Sequence, residues 1–189
     1  LRASSLDKID LLILNSMDKN EYRNLLWLVS NFNVSKIMLP EYYKSVMDNK
    51  SFNKNFENTK IDYITSSRIV NQKGNFRLYI YYDSLYNGSN MMTQFLFGDQ
   101  SFVFNDAVKS EDIIFNAVYL NSLDLNMQVL RVQGAGSFIT APAQFIAETD
   151  PEFIVIGETN SGRRKLNSEI FSSSLNEFGY NILYVGKEG

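Results

Sequence analysis

Apolar residues fall into two rhythms along the chain. One is the short uninterrupted run: residues 9–14 read Ile-Asp-Leu-Leu-Ile-Leu between polar flanks, and 36–39 form a second such run. Runs of this kind predict strands buried on both faces, as in a parallel sheet. The other rhythm is helical. Tyr22, Leu25, Leu26, Leu28, Val29 and Phe32 recur along 21–32, with Asn33 as a stop. Pro40 stands just before a further helical stretch at 41–47, where its fixed φ suits a first turn. Polar residues 15–20 predict a turn, and 48–60, rich in Asn and Lys, predict a loop.

The pattern changes after residue 60. Segments 61–64, 76–83, 92–97 and 101–104 are rich in Tyr, Phe and Ile, and Asn-Gln-Lys-Gly, Asn-Gly-Ser-Asn and Gly-Asp-Gln separate them. That predicts a meander of antiparallel strands joined at turn signals. Arg77, Tyr79 and Tyr81 alternate with Leu78, Ile80 and Tyr82, so one face should be packed and the other wetter. Helical spacing returns at 109–120. Then follow a strand at 127–132, a helix at 142–149, a strand at 153–156, a helix at 167–178 and a strand at 181–185. The order βαβα, meander, α, βαβαβ predicts an α/β fold in layers. No internal repeat is visible. One domain over 1–189 is expected, with 48–60 as the weakest place for a boundary.

Composition narrows the chemistry. The 189 residues include no histidine and no cysteine. This excludes a Cys/His zinc site, a haem held by either residue and a cysteine-ligated iron–sulfur cluster. It also excludes a Ser-His-Asp triad, a Cys nucleophile and a His general base. The core must hold by burial, without disulfides. A formal charge of −3 argues against broad nucleic-acid binding through bulk charge. No run of about 18 apolar residues exists, so no membrane span is expected in this segment. The opening Leu-Arg-Ala-Ser-Ser-Leu-Asp is neither an initiator Met nor a signal peptide, which points to a fragment of a longer protein.

Four loops hold candidate chemistry. In Asn15-Ser16-Met17-Asp18-Lys19-Asn20-Glu21, Asp18 and Glu21 have the spacing to share a face as a hard-metal or polar-ligand site. Alternatively Asp18 or Asn20 caps the following helix and Glu21 favours its positive end. Asp106, after the run 101–104, is a ligand or another cap. Gln133-Gly134-Ala135-Gly136-Ser137 is Gly-rich after a strand: either its amides cradle an anion, or its glycines serve a tight connection. It lacks the Lys and Gly spacing of a P-loop. Arg163-Arg164-Lys165 is the one dense basic cluster, a phosphate contact or a solvated loop.

In this order the loops resemble the metallo-β-lactamase-like domain at the C-terminus of ComEC-type DNA-uptake proteins. That family has a Lys-Ile-Asp strand leading into Thr-His-x-Asp-x-Asp-His. Here Lys8-Ile9-Asp10-Leu11-Leu12-Ile13-Leu14 leads into Asn15 to Glu21, with Ser16, Asn20 and Glu21 replacing His, Asp and His, and Asp18 retained. The family's Gly-Asp is matched by Asn105-Asp106. Its Gly-His-His-Gly-Ser is matched at Gly136-Ser137, with Gly134 and Ala135 in the His places. Its Asn-x-x-Gly-His-Pro corresponds loosely to 160–164, with Arg163 at the His. The likeness covers nearly the whole chain. It lacks only the family's first strands, with their Gly-Gln-Gly-Asp and Asp-x-Gly motifs, which lie in an N-terminal portion or are supplied by another chain.

The resemblance implies an αβ/βα four-layer sandwich of mixed sheets, lacking its first N-terminal strands. In the family, metal-activated water attacks a phosphodiester or similar bond. Ser16, Asp18, Asn20, Glu21, Asp106, Gly134, Ala135 and Arg163 then mark a degenerate metal site, since carboxylates without imidazoles do not make a tight zinc pair. The expectation is a pseudoenzyme without cofactor, partnered by other proteins or by the rest of a longer chain. It would be a soluble domain, cytoplasmic or membrane-associated through its parent. Two alternatives stay open: an Mg²⁺- or Mn²⁺-dependent nuclease with an oxygen-only site at Asp18, Glu21 and Asp106, and a phosphate or nucleic-acid binding module using Gly134, Gly136, Ser137, Arg163, Arg164 and Lys165.

Overall fold

A computed structural model describes residues 7–15, 17, 19–47, 56–83, 91–105, 127–132, 146–147, 149–157, 173 and 175–185. The chain divides into two compact units. One comprises Leu1–Ser67 with Tyr82–Met91, the other Arg68–Tyr81 with Met92–Gly189. Neither division falls in 48–60.

The first unit begins with β1 (Lys8–Ile9) and β2 (Leu12–Ile13). The expected single strand at 9–14 is thus broken at Asp10, which is exposed and paired with Lys8 at 2.6 Å. The two halves choose different partners: β1 runs parallel to β3 (Asn33–Val34), β2 parallel to β4 (Lys36–Pro40). Helix α1 (Lys19–Asn31) joins them and stops where Asn33 was expected to stop it. A 3₁₀ turn at Glu41–Tyr43 enters α2 (Lys44–Met47), with Pro40 at φ −54° ahead of it, as the proline predicts.

The segment at 61–64 departs from expectation. As β5 (Lys60–Ile64) it is not the first strand of the meander; it runs parallel to β4, from Lys36 opposite Lys60 to Pro40 opposite Ile64. A cross-strand Lys36–Asp62 ion pair of 2.7 Å accompanies this register. The sheet order β2-β4-β5 makes β4 central, which explains its composition. Ile37 and Leu39 face one way, Met38 and Pro40 the other, and all four are buried. Ile37 and Leu39 join Leu25 of α1, Phe32 just after it, Tyr43, Met47 and Phe56 in one core.

The second sheet has seven strands in the order β12-β11-β10-β9-β8-β7-β6. These are β6 (Ser66–Lys73), β7 (Phe76–Asp83), β8 (Met92–Phe97), β9 (Gln100–Asn105), β10 (Val129–Val132), β11 (Phe153–Gly157) and β12 (Asn181–Val185). The meander is antiparallel from β7 to β9, and β9 to β12 are parallel. The sequence reading missed β6. Only Ile69 and Val70 interrupt its polar residues, and it is exposed along most of its length, so it carries little apolar signal. Its turn into β7 has Gly74 at φ 57°, and the β8–β9 turn has Gly98 at φ 60°. Tight two-residue hairpins require such values, and glycine adopts them without strain.

One face of this sheet carries Tyr81, Met92, Val103, Leu130, Ile154 and Ile156, packed with Ile146 and Leu175 into a buried core. Ile146 and Leu175 are helical and lie in the helices expected at 142–149 and 167–178; the helix expected at 109–120 lies outside the described residues. The wetter face expected for β7 is only partly wet. Arg77 is exposed and Tyr79 half-buried, but Tyr81 is buried because it joins this core. The opposite face is aromatic: Phe76 meets Phe95, Phe95 meets Phe104, and the Arg131 guanidinium lies 5.9 Å from the Phe104 ring. The fold among the described residues is therefore mixed α/β, with a large mixed sheet and few helices.

Candidate functional site

In α/β sheets ligands gather at the carboxyl ends of parallel strands, where loops are free to vary. β9, β10 and β11 present such an edge. Phe104 lies opposite Arg131 and Arg131 opposite Val155; one step on, Asn105 lies opposite Val132 and Val132 opposite Ile156. The chain leaves the sheet at Asn105, Val132 and Gly157. Asp106 follows the first exit, Gln133 to Ser137 the second, and Glu158 to Lys165 the third. Three of the four candidate loops thus depart from neighbouring strands at one edge.

The candidate side chains on these loops lie outside the described residues: Asp106, Gly134, Ala135, Gly136, Ser137, Arg163, Arg164 and Lys165. So do Ser16 and Asp18. The fourth loop belongs to the first unit, after β2. There α1 begins at Lys19, so Asn20 and Glu21 are its second and third residues. This corrects one alternative: Asn20 stands inside the first turn and is not the cap that precedes it. Asn15 is buried, and its carbonyl accepts the Met91 amide at 2.7 Å, while the Met17 amide donates to the Tyr43 hydroxyl at 3.0 Å. Backbone bonds tie both residues down.

One charged group near the carboxyl edge escaped the sequence reading. Arg131 sits one residue before the end of β10, over the Phe104 ring. A single Arg within a β-run gives no motif; only the strand register places it beside the exits of β9 and β11.

The amino ends of β10, β11 and β12 hold an open cleft of about 480 Å³, with Asp150, Glu152, Phe178, Tyr180 and Asn181 on its wall. The Asn181 amide donates to the Glu152 carbonyl at 3.1 Å. Burial, and secondarily the Asp150 carboxylate, push the Tyr180 phenol above its usual range, so it stays protonated and neutral. The acidic character of this end is opposite in sign to the Arg163-Arg164-Lys165 segment that follows β11.

Two of the buried polar side chains, Gln94 and Ser101, are bonded to each other and to their neighbours. The Tyr81 hydroxyl donates to Gln94 Oε1 at 2.6 Å, Gln94 Nε2 to Ser101 Oγ at 2.7 Å, and the Ser101 amide to Gln128 Oε1 at 2.5 Å. Ser101 is 1% exposed and bound on both sides, which disqualifies it as a nucleophile. Among the described residues no group of three or more His, Cys, Asp or Glu side chains is placed to hold a metal ion. None of the described helices is long and apolar enough to cross a membrane. No protein-family model matches the chain, and no curated protein matches it.

Proposed function

We propose that this chain is a degenerate metallo-β-lactamase-like domain, similar in pattern to the C-terminal domain of ComEC-type DNA-uptake proteins, that has lost its hydrolytic centre and serves as a binding or structural part of a larger assembly. The observation that carries this reading is the parallel edge of β9, β10 and β11. It sends out an Asp after β9, a Gly-Ser loop after β10 and the Arg163 segment after β11. That is the order in which the family presents its ligands.

The chemistry follows from the substitutions. A two-metal hydrolase needs neutral imidazoles to hold the ions and carboxylates to bridge them. Gly134 and Ala135 offer no donor side chain, and Arg163 brings a positive charge that repels a cation. Asp106 by itself gives hard-cation ligation too weak to orient a nucleophilic water. The test is elemental analysis of the purified chain together with a nuclease assay in Mg²⁺ and Mn²⁺. The expected result is no bound transition metal and no cleavage. Robust cleavage that Asp106→Ala abolishes overturns the pseudoenzyme reading in favour of an oxygen-only metal site.

One observation favours a second reading of the same edge, recognition of a phosphate group. β10 and β11 are adjacent, so the Gly-rich loop and the basic segment leave from neighbouring strands. Backbone amides and guanidinium groups are the donors that phosphate requires. Here Arg163→Ala with Arg164→Ala should weaken oligonucleotide binding about a hundredfold or more, since each of the two charged contacts is worth roughly 1.5–3 kcal/mol. An unchanged affinity rejects it.

A further inference from the structure

We draw no further inference here: the strongest candidate, the open cleft at the amino ends of β10, β11 and β12 with Asp150, Glu152, Phe178, Tyr180 and Asn181 on its wall, carries nothing, because its two carboxylates are an acidic cluster to which no second feature among the described residues adds a ligand.

Discussion

The two halves of the seven-stranded sheet solve the same problem with different chemistry. In the meander, β7 to β9, the buried face carries a relay of polar side chains: Tyr81, Gln94 and Ser101 bond in sequence across three strands, and Gln128 closes the end on the Ser101 amide. In the parallel half the same face is aliphatic, with Leu130, Ile154 and Ile156 each 0% exposed. Hairpins allow register slips, and a slip of one residue would turn Tyr81, Gln94 and Ser101 to the other face. A fully bonded buried network penalises that slip with unsatisfied donors and acceptors. The strands of the parallel half show no such polar relay on this face; a slip of one residue there would instead turn Leu130, Ile154 and Ile156 out of the buried core. The carboxyl-end loops of these strands are free to vary, which is where the candidate chemistry lies.

Removing packing from the parallel half should have the largest effect. Ile154→Ala deletes a fully buried branched side chain from the centre of the core. It should lower unfolding stability by about 4 kcal/mol, because the cavity adds to the lost transfer energy. Urea unfolding measures this. A loss below about 1 kcal/mol would mean that the parallel half is not close-packed, and the contrast with the meander would fail.

The meander should respond less to each cut, and in a coupled way. Gln94→Ala removes both the acceptor of the Tyr81 hydroxyl and the donor to Ser101 Oγ in a buried site, costing about 3 kcal/mol. Tyr81→Phe removes one donor and should cost about 1–2 kcal/mol. The double variant should cost less than the sum, since both substitutions break the same bond. Additive losses in a double-mutant cycle would show that the relay does not act as a unit.

How far the sequence disclosed this arrangement follows from the same contrast. Strands β7, β8, β11 and β12 were legible because alternation and apolar runs mark them directly. Two errors had a physical origin. β5 looks like part of the meander because Tyr and Ile suit either kind of sheet, and only its pairing with β4 decides the direction. β6 was invisible because an exposed edge needs no apolar residues to fold. The relay was illegible for another reason: Gln94 and Ser101 are polar residues in strands, and nothing local marks them as buried. The candidate loops were found by residue type and order, while the register of β9, β10 and β11 shows that three of them leave from neighbouring strands.

The smallest effect should come at the amino end of the parallel half, and it should be a gain. Asp150 has φ 38°, a left-handed conformation, and its amide donates to the Ile146 carbonyl at 2.8 Å. It therefore follows the helical residues 146, 147 and 149 in the position that glycine usually fills, with Pro151 preventing continuation. Two costs fall on it together. A side chain in this backbone region is strained by roughly 1–2 kcal/mol, and a carboxylate beside the last carbonyls of a helix opposes their dipole. Asp150→Gly removes both at the expense of a more flexible unfolded chain, for a net gain of about 0.5–1 kcal/mol in thermal or urea unfolding. Asp150→Asn removes the charge and keeps a residue that tolerates the left-handed region, so it should fall between the two. Both substitutions remove the carboxylate that helps to raise the Tyr180 phenol, so Tyr180 should titrate at lower pH in each, read by NMR. If Asn matches Gly in stability, the charge is the dominant cost; if Asn matches Asp, the backbone is. Such a gain is available at this end because the strained residue ends a helix and lies away from the carboxyl edge of the sheet.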